Sequence, residues 1–126
     1  MHKEIIYTNT APEPIGPYSQ AIVLGDFIFT SGQIAINPST GNIEGTDIKT
    51  QTRIAIQNLS EILKRAGSSL DKIIKTTVFI RNMEDFKLMN EVYEEYFGQS
   101  KPSRSTVEVS GLPKNALVEI EAIAHL

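Results

Sequence analysis

The sequence predicts an α+β fold, a mixed six-stranded sheet with two helices packed on one of its faces. Three observations carry that expectation. Short runs rich in Val, Ile, Phe and Thr alternate with period 2, as strands do. Two longer stretches repeat apolar residues every three or four positions, as amphipathic helices do. Their order, three strands, helix, strand, helix, two strands, suits one sheet backed by a layer of helices. At 126 residues the chain has the length of one domain, 1–126, able to bury about two thirds of its unfolded surface without staples.

Ile5 to Thr8 is expected to form a short first strand. The following APEPIGPYSQ, with three prolines and a glycine, must be an extended loop, because proline cannot donate to a ladder; it delivers Tyr18 at its end. Ala21 to Leu24 and Phe27 to Ser31 flank Gly25-Asp26, a two-residue spacing that reads as a tight hairpin. Both faces of this hairpin carry apolar residues, so both need covering. NPSTGNIEGT is a turn-rich loop.

From Ile48 the positions Ile48, Thr52, Ala55, Leu59, Ile62 and Ala66, widened by Ile56 and Leu63, predict an amphipathic helix of about five turns. Gly67 is placed to end it in the left-handed conformation. Ile73 to Arg81 reads as a strand, and Asn82 as the N-cap of a second helix with Glu84 and Asp85 in its first turn. Met83, Phe86, Met89, Tyr93 and Phe97 form that helix's apolar stripe; Asn90 shares the stripe and needs hydrogen-bond partners.

The last quarter, Pro102 to His125, reads as a hairpin-like pair of strands joined by Gly-Leu-Pro-Lys-Asn. Period 2 groups Ser105, Val107 and Val109 against Arg104, Thr106 and Glu108 in the first strand. In the second it groups Val118, Ile120, Ala122 and Ala124 against Glu119, Glu121 and Ile123. The expectation is an aliphatic face turned to the helices and a helix-free face carrying Arg104 with the carboxylates. Such a face, half apolar and half charged, is expected to meet another subunit.

A net charge of −3 and a pI near 5.4 give no global attraction to nucleic acid or anionic lipid. The absence of cysteine excludes disulfides and thiolate nucleophiles and suits a reducing compartment. His2 and His125 sit at opposite ends without metal-ligand spacing, so no metal site is expected. No apolar stretch reaches signal-peptide or membrane-spanning length, and the expected location is cytoplasmic.

Arg104 could present its planar fork to a carboxylate, or pair with Glu108, Glu119 or Glu121 as an ordinary salt bridge. Glu119 or Glu121, partly shielded, could hold a water or act as general base, or serve as an interfacial charge. Tyr18 could wall a pocket, or simply pack. Ser31-Gly32-Gln33 could bring backbone N–H groups to a ligand oxygen, or be a strand-ending turn. Composition and spacing leave each pair open.

IGPYSQA at 15–21, FTSGQI at 29–34, KTTVFIRNMEDF at 75–86, PSRSTVEV at 102–109 and VEIEAIA at 118–124 together resemble the Rid family, the reactive intermediate deaminases also called YjgF. The resemblance runs from about Thr10 to Ala124. It implies a chorismate-mutase-like fold in a homotrimer with ligand clefts between subunits. It also implies hydrolysis, without cofactor, of 2-imino acids or their enamine tautomers to 2-oxo acids and ammonia; 2-aminoacrylate, 2-iminopropanoate and 2-iminobutanoate are the substrates implied. By motif, Arg104 corresponds to the carboxylate clamp and Glu119 to the residue holding the attacking water. Tyr18, Ser31, Gly32 and Asn90 correspond to pocket positions. Many members carry cysteine two residues after the arginine; Thr106 stands there, leaving a backbone N–H and a hydroxyl as its possible contributions.

Two other functions belong beside this one. The family has been associated with endoribonuclease and translation-inhibitor activity, against which stand the acidic pI and the lack of a Lys/Arg run, so nucleic acid is not an expected partner. A non-catalytic carboxylate-metabolite-binding regulatory protein could use the same Arg104. Glu119 favours hydrolysis, because binding a carboxylate does not need an anionic neighbour.

Overall fold

The computed structural model describes residues 2–126. Six strands, β1 (Lys3–Ile6), β2 (Ala21–Leu24), β3 (Phe27–Thr30), β4 (Ile73–Ile80), β5 (Ser103–Glu108) and β6 (Val118–His125), form one sheet in the order β1-β2-β3-β6-β4-β5. Only β4 and β5 run parallel; the other pairs are antiparallel, so the sheet is mixed. The helices are α1 (Ile48–Arg65) and α2 (Phe86–Phe97), and α2 is the crossover that parallel strands require.

The helices form where the sequence places them. Asp47 caps α1 by accepting from the Thr50 N–H at 3.0 Å, which holds its carboxyl below the usual range. Lys64 and Arg65 occupy the last turn, and Gly67 follows with φ 87°, the left-handed exit that glycine takes without steric cost. Asn82 caps a short 3₁₀ turn, Met83–Asp85, that leads into α2, rather than α2 itself. Of the predicted stripe on α2, Met89, Tyr93 and Phe97 are buried, Val92 joins them, and Met83 is exposed. The first strand lies two residues earlier than expected, because Tyr7 and Thr8 already belong to the loop.

One side chain in two from the sheet meets the helices. Ile28, Val78, Ile80, Val118, Ile120 and Ala124 pack there against Ala55, Ile56, Leu59, Ile62 and Leu63 of α1 and Met89, Tyr93 and Phe97 of α2. On the other face a row runs across the sheet by register: Ile5, Ile22, Phe29, Ile123, Lys75, Ser103. Ile5, Phe27, Phe29 and Val107 are all exposed, and Glu121 and Thr77 form a polar island beside them. The helix-free face is thus half apolar, as expected.

Two expectations about the last quarter are corrected. The strands β5 and β6 are not a hairpin: β4 lies between them, parallel to β5 and antiparallel to β6, and the Pro113–Asn115 turn carries the chain past its end. The side of β5 is also reversed. Arg104 pairs with Thr76 and Thr76 with Ala122, so Arg104, Thr106 and Glu108 share the helix side. Ser105 and Val107 pair through Thr77 and Phe79 with Glu121 and Glu119, on the helix-free side. Alternation fixes which residues share a face; the partner strand decides which face it is.

The loop after β3 is tied to α1 by Asn58, a buried amide that donates to the carbonyls of Ile34 at 3.1 Å and Ile36 at 3.0 Å. Asn58→Ala should cost about 2 kcal/mol in denaturant unfolding, since it strands two buried carbonyls. A change below about 0.5 kcal/mol would show that this tie is not a stabilising one.

Candidate functional site

Parallel pairing and α2 build one cluster. Arg104 rises from β5 toward α2, where Phe86, Asn90 and Tyr93 follow one another at spacings of four and three on one helical face. Its Nη1 donates to Asn90 Oδ1 at 2.7 Å, and the guanidinium carbon lies 4.6 Å from the Tyr93 ring centroid and 5.5 Å from that of Phe86. Tyr93 is itself fixed, its hydroxyl 2.7 Å from Thr76 Oγ1, and its burial raises its pKa. Arg104 has no ion pair among the described residues; Glu108 accepts from the Met83 N–H instead. The ordinary salt-bridge reading of Arg104 therefore falls. Most of the fork remains open toward a concavity lined by Asn90, Tyr93, Lys101 and Arg104.

Thr106 lies two residues along on the same face, and its buried hydroxyl has no hydrogen-bond partner. Its backbone is also available. The Val109 N–H bonds to Ile80 O, so by alternation the N–H groups of odd-numbered β5 residues face β4 and that of Thr106 faces the open edge.

A second cluster forms on the other side. Glu119 of β6 stands against Gly32: a Cβ at that glycine would fall 2.6 Å from Glu119 Oε2. That close approach is what the glycine permits, and any other residue would push the carboxylate away. Burial raises the Glu119 pKa above the usual carboxylate range, and Glu121 raises it further. The Glu119 carboxylate makes no hydrogen bond or ion pair among the described residues. Tyr18, Gly32, Gln33, Lys114 and Glu119 line one concavity under the loop 8–20.

That loop is held from beneath by Gln20, a buried amide that donates to the Thr8 and Pro12 carbonyls and accepts from the Thr8 N–H at 2.7 Å. Tyr18 is half exposed, with its hydroxyl accepting from the Ile15 N–H at 3.1 Å. Ser31 is otherwise employed: its hydroxyl donates to Ser19 O at 2.6 Å and its N–H to Gln20 O at 2.8 Å, joining the end of β3 to the loop.

Within one copy, then, Tyr18, Gly32 and Glu119 are brought together, and so are Asn90, Arg104 and Thr106. The two groups are not brought together, because Arg104 and Glu119 lie on opposite faces of the sheet. The rings of Phe86 and Tyr93 beneath Arg104 and the Gln20 anchor escaped sequence reasoning. Spacing on α2 could have found the rings, since both share a face with Asn90. Among the described residues no cluster of three His, Asp or Glu side chains could hold a metal, and no helix is long and apolar enough to cross a membrane.

The fold is of the α+β class, a helix-backed mixed sheet that carries two separate side-chain clusters, one on each face. Comparison with known proteins gives the family. The family model described as Endoribonuclease L-PSP matches residues 8–126. A RutC family protein of Pyrococcus abyssi is 58% identical over 125 residues, 99% of this chain and 98% of that protein. Reactive Intermediate Deaminase A of Arabidopsis thaliana, a chloroplastic protein, is 42% identical over 124 residues, 98% of this chain and 66% of that one. The crystal structure of E. coli TdcF with bound serine matches with a TM-score of 0.92 at 46% identity, covering 98% of each chain. The chain belongs to the L-PSP family, the Rid or YjgF family of the motifs.

The raised pKa of Glu119 has a consequence for stability. Between the unfolded carboxyl value, about 4.3, and its raised folded value, the native state binds the extra proton, so stability falls as pH rises through that window. Glu119→Gln should therefore match the parent protein's stability below the window and exceed it at neutral pH. Denaturant unfolding at acid and neutral pH checks this; a variant less stable than the parent at neutral pH would contradict the burial cost.

Proposed function

We propose that the protein hydrolyses 2-imino acids or their enamine tautomers to 2-oxo acids and ammonia, in clefts between the subunits of a homotrimer. The observation that carries this reading is the separation of an open guanidinium and an unpaired, half-buried glutamate onto opposite faces of one sheet. Each is half of a site, and a second copy laid over the helix-free face would bring its own Arg104 edge toward Glu119. The exposed Ile5, Phe27, Phe29 and Val107 supply an apolar reason for such a contact. A threefold arrangement would generate three equivalent clefts.

The chemistry suits these groups. The fork of Arg104, steadied by Asn90 and two rings, binds the substrate carboxylate, with the Thr106 N–H or its unpaired hydroxyl as a further donor. Glu119 takes a proton from water as its oxygen bonds to the imine carbon, and the nitrogen gains that proton. As the carbon–nitrogen bond of the resulting carbinolamine breaks, the proton of its hydroxyl passes by way of Glu119 to the nitrogen, which leaves as ammonia, and the carbon and oxygen close to the carbonyl of the 2-oxo acid. A carboxylate whose pKa is raised is the better base near neutrality. Tyr18 walls the cleft, and Gly32 keeps the carboxylate close.

The names of relatives support the reading: one is a reactive intermediate deaminase, and another was crystallised with serine, a small carboxylate. The ribonuclease named in the family description fits less well, because neither His2 nor His125 borders either concavity. Coupling a serine or threonine dehydratase to the protein tests the activity: 2-oxo acid and ammonia should appear faster than by spontaneous hydrolysis. Arg104→Lys should lose at least roughly tenfold in kcat/KM, because a point charge cannot reproduce two parallel hydrogen bonds. Glu119→Gln should lose about 10²- to 10⁴-fold while still binding 2-oxo acids. Glu121→Gln should mainly alter assembly. Parental rates in Glu119→Gln would remove the general base, and a monomer by light scattering would remove the composite cleft.

A further inference from the structure

Two lysines stand outside every interaction described above. Lys101 and Lys114 hold left-handed backbone conformations, φ 47° and 55°, and Asn115 follows with 56°. Side chains avoid that region, and glycine or asparagine would fit it with less strain. Lys101 also precedes Pro102, and a residue preceding proline is driven away from helical conformations. The chain nonetheless places a long cationic side chain at both positions, and an outlier of this kind invites a functional explanation.

Their positions supply one. Lys101 lines the concavity of Arg104 and Asn90, and Lys114 lines that of Tyr18, Gly32 and Glu119. Neither forms an ion pair among the described residues. Around Lys114 the other titratable groups of the lining are Tyr18, a neutral phenol, and two carboxylates, Glu13 and Glu119, with Glu121 close enough to act on Glu119. An anion approaching that half-site without Lys114 would meet only repulsion. On the Arg104 side, Glu94 lines the same concavity as Lys101.

We propose that Lys101 and Lys114 are an electrostatic guide for anionic substrate, one lysine at the mouth of each half of the composite cleft. The proposal rests on the two-copy cleft of the preceding section. The lysines steer and retain the anion without touching the reacting carbon, so they are positioning residues and act on kcat/KM through KM. Such steering weakens as salt screens it.

The test replaces both lysines by asparagine, which accepts the left-handed backbone while removing charge, and in parallel by arginine, which keeps charge. With 2-iminopropanoate at low ionic strength, the asparagine double variant should lose about tenfold in kcat/KM with kcat unchanged, and its salt dependence should flatten. The arginine variant should behave as the parent. The neutral amide of the same imine should be hydrolysed equally by all three. The proposal is overturned if the asparagine variant keeps the parental kcat/KM and salt slope, if kcat falls with KM unchanged, or if arginine fails as asparagine does. Should the parent protein hydrolyse no imine, the deaminase reading fails separately. Calorimetric binding of pyruvate then decides the guide: salt-sensitive affinity lost in the asparagine variant upholds it, and equal affinity overturns it.

Discussion

The placement of β5 against β4 governs what this chain can do. Parallel pairing sets Arg104 level with Thr76 and hence on the side of Ala122, while Glu119 shares its level with Phe79 on the other side. A sheet offers no route between its faces, so no rotamer of Arg104 reaches Glu119 across the layer. Slipping β5 by one residue would exchange its faces, moving Arg104 to the side of Glu119 and Glu121 and stripping α2 of its cation. The observed register leaves both groups uncommitted.

Around that constraint the remaining structure holds each cluster in position. On the helix side, Tyr93 is fixed by Thr76 and stacks 4.6 Å from Phe97, giving Arg104 an aromatic bed that is part of the core. Around Glu119, three buried side chains do comparable work on the backbone. Gln20 closes the loop that carries Tyr18, Asn58 ties the segment after Gly32 to α1, and Gln51 links Gly45 O to the Leu117 N–H just before β6. These amides satisfy carbonyls and N–H groups that irregular chain would otherwise bury unpaired. Both clusters are thus fastened to the core, whereas the helix-free face carries exposed Phe29 and Val107.

How much of this the sequence discloses depends on the range of the interactions involved. Strand and helix identities follow from local periodicity, and α1 runs from Ile48 and ends before Gly67 as its pattern demands. Sidedness is different. Val107 and Val109 imitate a core row because they belong to an apolar face of another kind, and Arg104 and Thr106 imitate a solvent row because α2 presents polar Asn90 among its rings. The five-residue connection Gly-Leu-Pro-Lys-Asn similarly suggests a hairpin, and only the insertion of β4 between its strands corrects it. Family motifs single out candidate residues, but a motif carries no information on which face its residues occupy. The bonds of Ser31 to Ser19 and Gln20, which join the end of β3 to the loop, are equally invisible to a motif.

A cleft that takes Arg104 from one copy and Glu119 from another can be rebuilt by mixing subunits. Arg104→Ala and Glu119→Gln, each inactive alone, are unfolded together, refolded at equal concentration and assayed for imine hydrolysis. If clefts form between copies, random assembly gives about one cleft in four with both groups intact, so activity should return to roughly a quarter of the parental value. If the mixture stays as inactive as its components while assembling normally, the two residues act within one copy, and the composite cleft is wrong.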